Sequence, residues 1–404
     1  MCAGQLKRNI VRMNMKRILI LVNIIGWFAV AQGCSSPVQP AIDYCAKQAA
    51  RTLEVVSSPD MIPNSVDAGL STWKFTRPGG WTCGFWPGEL WYLYEGTGDT
   101  LFRDNALKVT EAIMPIAYRT PHSHDVGFMV MPSIGSAYRF TGEKKYLDAL
   151  VSAADSLATL YNPKVGSILS WPNMAKKMGW RHNTIIDNML NLELLFWVAQ
   201  NCDRPDLYEI AFRHAETTMK YQFRDDWSTY HVTVFDPDTG EFIAGHTHQG
   251  WKDETMWARG QAWAVYGFTM AYRFTRDERF LETAVHAADA YLSRLPEDGI
   301  PYWDFDAGEQ LENQPKDCSA AAIVASALLE LQSYLPENQA KRYLKEAKRT
   351  IKTLSAAPYR AGDQCSAFLL HATGHLPNGY EIDASISYAD YYYIEALIRL
   401  KTIL

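Results

Sequence analysis

Cysteine is sparse and unpatterned. The 404 residues hold seven (Cys2, Cys34, Cys45, Cys83, Cys202, Cys318, Cys365), and no two sit at CxxC spacing. That argues against a structural zinc site, and the five thiols after Cys34 are an odd number for a disulfide framework. Core thiols are expected, with room for one adventitious disulfide. Positive charge is not in excess either: 39 Lys and Arg against 45 Asp and Glu give a net charge of -6. The basic face of a nucleic-acid binder is therefore missing. A small anionic substrate stays open, because one Arg or a few aimed donors can hold a carboxylate. Among the histidines His122, His124, His231, His246 and His248, the spacing HxH occurs twice. With no HExxH and no third ligand at helical spacing, no metal is expected. Strand patterning is scarce, and Tyr230 to Phe235, in a loop, is its best candidate.

Aromatic residues are abundant: 13 Trp, 22 Tyr and 16 Phe, which fill a core, line a sugar cleft, or both. With 48% hydrophobic and 21% charged residues, wholesale disorder is excluded. The length suits two ordinary domains or one large closed architecture.

The first thirty-four residues read as an address. Lys7, Arg8, Arg12, Lys16 and Arg17 precede the apolar run Ile18 to Val30, too short for a comfortable membrane span. The run ends at Gly33-Cys34, which resembles a bacterial lipoprotein signal with Cys34 as the acylated new N-terminus. Residues 1–34 are thus expected to direct export to the periplasm and anchoring at Cys34. Residues 35–404 are expected to form a single catalytic domain.

Beyond residue 40 one unit recurs: an apolar helix, a short polar turn, then a charged amphipathic helix. Gly84 to Glu95 leads to Thr100 to Tyr118, and Gly127 to Phe140 to Lys144 to Tyr161. Ile185 to Gln200 leads to Asp206 to Phe223, and Trp257 to Phe274 to Glu278 to Leu295. Ser319 to Tyr334 leads to Asn338 to Leu354. Gly in the turns can end a helix in the left-handed region, and Asp or Glu can cap the next. The first helix of each pair is apolar almost all round, which predicts burial on both sides. Adding Ile42 to Val56 and Ser385 to Leu400 makes six hairpins, an all-α (α/α)6 barrel. A superhelical solenoid is the alternative. It needs polar capping helices, and Ser387 to Ile398 is mostly aromatic and apolar.

In such a barrel the loops entering the inner helices gather at one end. Asp125 and Asp187 each open an inner helix among apolar neighbours. A carboxyl in that setting has its pKa raised by desolvation, which suits a general acid. The bland alternative is an N-cap at each position. His124 and His231 are candidates for hydrogen bonding to substrate. Trp81, Trp171, Trp257 and Trp263 are candidates for stacking on sugar faces, or core. Arg259 opens an otherwise apolar helix and needs an anionic partner, either a protein Asp or a substrate carboxylate.

The stretches WTCGFWPGELWYLYEGTGD, HDVGF, IIDNMLNLELLFW, HTHQGWKDETMWARGQAWAVYGF, DCSAAAIVASALLEL and YADYYYIEAL follow one another along nearly the whole chain. Together they resemble the unsaturated glucuronyl hydrolases, glycoside hydrolase family 88. The resemblance implies an (α/α)6 barrel without metal or organic cofactor. It implies Asp187 as general acid/base and Asp125 as its essential partner. Trp81, His124, Trp171, His231, Gln249, Trp257, Arg259 and Trp263 would bind sugar or orient water. Ala389 departs from the usual Gly of the last stretch. The substrates implied are lyase-generated unsaturated glycosaminoglycan disaccharides, hydrated across C4=C5. Two alternatives are kept: an unsaturated rhamnogalacturonyl hydrolase, and a lipid-anchored oligosaccharide-binding protein without turnover.

Overall fold

The computed structural model describes residues 37–404; the expected export segment and Cys34 lie outside the described residues. Helix α1 (Gln39–Val55) is followed by strands β1 (Ile62–Val66) and β2 (Lys74–Thr76), then by α2 (Phe85–Thr97) and α3 (Thr100–Ile113). The next inner helix is composite: α4 (Val126–Val130), a π-helical turn over Met131–Gly135, and α5 (Ser136–Thr141). Then come α6 (Lys144–Ala158), the short strands β3 (Tyr161–Asn162) and β4 (Ser167–Ile168), α7 (Met174–Met178), and β5 (His182–Ile185). The hairpin α8 (Asn188–Cys202) and α9 (Pro205–Tyr221) precedes β6 (Val232–Phe235) and β7 (Phe242–His246). The remainder is α10 (Ala258–Thr275), α11 (Glu278–Ser293), α12 (Phe305–Gln310), α13 (Cys318–Leu331), α14 (Glu337–Leu354), β8 (Ser385–Ile386) and α15 (Ser387–Ile403).

The inner ring runs α2, α4–α5, α8, α10, α13 and α15, each packed on the next, and α15 packs back on α2. That last contact makes a closed (α/α)6 barrel rather than a solenoid. The outer ring is α1, α3, α6, α9, α11 and α14. Burial follows the apolar patterning. Every residue of α10 from Ala258 to Tyr272 is buried, whereas α14 buries one stripe of Tyr343, Ala347, Thr350, Ile351 and Leu354. Each fully buried Leu or Phe contributes about 1.5–3 kcal/mol. The turns behave as the residues dictate. Gly98 ends α2 at φ 74°, and the Asp99 side chain accepts from the Leu101 N–H to start α3. The four thiols Cys45, Cys83, Cys318 and Cys365 are buried, and all five cysteines from Cys45 onward are free.

Several boundaries differ from the sequence expectation; the last inner helix starts at Ser387, because Ser385 and Ile386 form β8 on β1. Lys144 to Tyr161 stops as helix at Ala158, because Tyr161 pairs with Ile168 in β3–β4. Ile185 belongs to β5, paired with Val232 of β6, so the third inner helix starts only at Asn188. The antiparallel sheet β5–β6–β7 sits at the mouth of the barrel and holds the residues flanking its strands in place. The Ile186 N–H donates to the His231 carbonyl at 3.0 Å, which places Asp187 beside His231.

Candidate active site

A cavity of about 230 Å³ opens where the loops enter the inner helices. Six of the expected residues line it: Trp81, Asp125, Trp171, Asp187, Gln249 and Arg259. His124, His231, Trp257 and Trp263 do not. They are buried behind the wall and act on the residues that do.

Asp187 directly precedes α8, yet its side chain makes no capping hydrogen bond. Its Oδ1 is buried with no hydrogen-bond partner among the described residues. Burial raises its pKa to about 7, against the pull of Arg259 and with a further push from Asp125. The Trp263 indole N–H, otherwise without a partner, faces the same carboxyl and favours its charged form. The group is therefore an acid poised near neutrality. His231 Nε2 lies 3.8 Å from Asp187 Oδ1. Both the His248 and Gln249 backbone N–H groups donate to His231 Nδ1, each at 3.1 Å. Burial pushes this imidazole well below the usual range, so it is neutral and its proton sits on Nε2.

Asp125 precedes α4 and likewise does not cap it. Ser123 Oγ donates to its Oδ2 at 2.7 Å, and His124 Nε2 lies 3.3 Å from its Oδ1. In both carboxylates, then, the N-cap reading fails because the side chain turns away from its own helix.

Arg259 has its anionic partner within the protein. Its Nη1 donates to Asp317 Oδ2 at 2.9 Å and to the Thr373 carbonyl. Its Nη2 donates to the Gly374 carbonyl and, at 2.6 Å, to Gln249 Oε1. Asp317, fully buried, also caps α13 through the Ser319 N–H. Because Gln249 Oε1 is occupied, its Nε2 donor is what the side chain offers to the cavity. Arg259 thus orients a donor while it also lines the wall.

The aromatics divide by exposure. Trp81 is 37% exposed at the rim and packs on Phe85, Phe128 and Tyr388. Trp171 presents its ring to the imidazoles of His124, His231 and His248. Trp257 is 2% exposed; it lies 4.4 Å from His231, and the Arg259 guanidinium sits 4.6 Å over its ring. Trp263 packs between Phe128 and Tyr392. The cavity also takes residues to which the sequence alone assigned no role: Asn173, Met174, Ile185, His248, His375 and Tyr380. His248 stood in an HxH pair, a signal that named it without a function. His375 and Tyr380 come from an irregular segment with no periodicity to read. Among the described residues, no three His, Cys, Asp or Glu side chains converge as a metal site.

Residues 60–396 match the family model of Glycosyl Hydrolase Family 88. The unsaturated glucuronyl hydrolase of Formosa agariphila is 41% identical over 329 residues, 80% of this chain and 80% of its own. The unsaturated chondroitin disaccharide hydrolase of Streptococcus pneumoniae is 35% identical over 326 residues, 79% of this chain and 81% of its own. Among solved structures, an unsaturated glucuronyl hydrolase specific for heparin superposes with a TM-score of 0.85 at 41% identity, covering 91% of this chain and 97% of that one. The chain belongs to glycosyl hydrolase family 88 and is a glycoside hydrolase.

Proposed function

We propose that the protein hydrolyses unsaturated uronic-acid disaccharides of glycosaminoglycan origin by hydrating their C4=C5 double bond. The observation that carries this reading is Asp187: a buried carboxyl with a pKa raised to about 7, facing a neutral imidazole N–H inside an aromatic-walled cavity. A vinyl ether needs one proton at C4 and one water at C5. Asp187, protonated, delivers the proton and leaves an oxocarbenium-like centre at C5. The same group, now ionised, takes a proton from the water that attacks C5. The resulting hemiketal opens to a 5-keto group, and the hemiacetal freed at C1 expels the hydroxyl of the leaving sugar. Protons balance, and Asp187 ends as it began.

Asp125 raises the pKa of Asp187 by its charge and holds the ring. His231 Nε2–H orients the water. Gln249 Nε2, aimed by Arg259, is offered to the substrate carboxylate, and Trp81 and Trp171 take the sugar faces. The relatives named for glucuronyl, chondroitin and heparin substrates support the glycosaminoglycan source. Export and lipid anchoring at Cys34 belong to the same proposal, on the strength of the basic and apolar segments before Gly33-Cys34.

The test is a panel of lyase-derived disaccharides from chondroitin, hyaluronan, heparin, ulvan and pectin. Loss of the ultraviolet absorbance of the conjugated double bond on a glycosaminoglycan product supports the reading. Loss confined to the pectin product points to rhamnogalacturonyl hydrolysis, and binding without loss on any of them to a capture protein.

A further inference from the structure

Asn191 is completely buried on α8, one turn after Asn188, behind the wall that carries Asp125. Its carboxamide has one orientation that satisfies its neighbours. The Phe128 backbone N–H can only donate, so the atom that meets it at 2.8 Å is the carboxamide oxygen. The NH₂ group is then left facing His124 Nδ1 at 3.3 Å. An NH₂ group only donates, so Nδ1 accepts, and a neutral imidazole must carry its proton on Nε2. The imidazole is neutral, since burial lowers its pKa against the opposing effects of Asp125 and Asn188. Nε2 lies 3.3 Å from Asp125 Oδ1, within ion-pair distance though outside hydrogen-bond alignment.

Asn188 acts on the same ring. Its NH₂ donates to the Ile168 carbonyl and to Ser170 Oγ, at 3.1 and 3.2 Å. Its oxygen, buried and otherwise without a donor, is left beside the same imidazole, where it favours a donating ring. His124 in turn is among the groups that depress His214 on α9 and His231 before β6, both buried. The contact also requires Gly127: a Cβ there would lie 2.6 Å from Asn191 Cα and 2.8 Å from its Oδ1. The two walls of the cavity use one device. Each carboxylate faces an imidazole Nε2, and each Nδ1 is committed by a donor: backbone N–H groups for His231, a side chain for His124.

We propose that Asn191 is a positioning residue for the reaction, selecting the His124 tautomer that presents Nε2–H to Asp125 and so holds that carboxylate in its working orientation. This rests on the reading of Asp125 as the partner of Asp187.

The experiment combines ¹⁵N-histidine NMR of the full chain with steady-state kinetics of Asn191→Asp and Asn191→Ser. In the unsubstituted protein at pH 7, His124 is expected neutral with its proton on Nε2. A serine hydroxyl is shorter than the carboxamide but keeps a group that can donate toward Nδ1. Asn191→Ser therefore keeps the tautomer and stays within about tenfold in kcat. Aspartate is the better match in shape but cannot donate. Asn191→Asp moves the proton to Nδ1 or charges the ring, and lowers kcat about a hundredfold with little change in KM. If Asn191 only filled space, the order would reverse, Asp being the milder change and Ser the worse. That reversal, or a proton on Nδ1 in the unsubstituted protein, overturns the proposal. If Asn191→Asp fails to fold, the tautomer of the unsubstituted protein and the Ser variant still decide. Full activity in Asp125→Asn with the Nε2 tautomer in place would instead remove the role of Asp125 and leave the tautomer assignment standing.

Discussion

Asp187 Oδ1 and His231 Nε2 stand 3.8 Å apart, and among the described residues neither has a hydrogen-bond partner. The separation is too long for a direct hydrogen bond and leaves a polar acid and a polar donor flanking one small gap. Two unsatisfied buried groups side by side carry a stability cost that a purely structural pair would have relieved. A water placed there satisfies both, which is the requirement of a hydration reaction.

Asp187→Asn is expected to lower kcat by about 10²–10⁴-fold. It is also expected to stabilise the fold at pH 8. The folded pKa of about 7 exceeds the usual carboxylate value. The favourable contribution of this group is complete at low pH and is lost as pH rises through about 7. Asn removes that loss. Turnover and thermal melts at pH 8 check both parts, and a variant that is both inactive and less stable than its parent would argue against a desolvated acid.

Arg259 and Asp317 are both buried and paired at 2.9 Å. Asp317→Ala leaves a buried guanidinium without its anion and is expected to cost about 3–5 kcal/mol in urea unfolding. It also frees Gln249, so KM should rise more than kcat falls. Gln249→Leu should raise KM with little change in stability. Equal effects on stability from both substitutions would contradict the division of labour between anchor and donor.

Stability is expected to peak near pH 6.5. Burial lowers the pKa of His182 and His375 to about 4 and of His214 to about 3, and depresses His124, His231 and His248 as well. Each of these histidines binds a proton more readily when unfolded, so stability falls as pH drops below about 6.5. Burial also raises Asp187 to about 7, Asp390 to about 8, and Glu89, Asp304 and Glu381 upward, and these act in the opposite sense. Below pH 6.5 the six histidines outnumber the five carboxyls. Above it the carboxyls act alone, and stability declines toward pH 8. Melting temperatures from pH 4 to 9 test the curve, and a monotonic rise through pH 8 would refute it.

Gly127→Ala is expected to destabilise by about 1–3 kcal/mol, because the added Cβ meets backbone rather than a yielding side-chain tip. It should also reduce kcat by pushing α4 and Asp125 away from α8. Unfolding curves and turnover measure the two effects on one variant, and wild-type kcat in a destabilised variant would separate the packing from the site.

The barrel was legible because its signals are local. Turns such as Gly98-Asp99 and the apolar periodicity of α10 and α13 lie within a few residues of one another. The late start of α8 was not, because the pairing of Ile185 with Val232 joins residues far apart in the chain. The same limit applies to Arg259. Its charge called for a partner, but only the packing of α10 on α13 shows that the partner is Asp317. Trp257 and Trp263 look alike in sequence to Trp81 and Trp171. Trp257 and Trp263, at the start of α10 and within it, are buried in the core, whereas Trp81 and Trp171 lie in the loops before α2 and α7 and reach the cavity. Asn191 carried no signal, since a polar residue in an apolar helix announces burial of a hydrogen bond but not its recipient.

The most direct measurement is hydration of an unsaturated chondroitin or heparin disaccharide in D₂O, with mass spectrometry and NMR of the released uronic acid. The expected result is loss of the double bond and one solvent deuterium bonded to carbon at C4, with Asp187→Asn abolishing both. A released uronic acid that keeps its C4=C5 bond, or carries no deuterium at C4, would contradict hydration by Asp187.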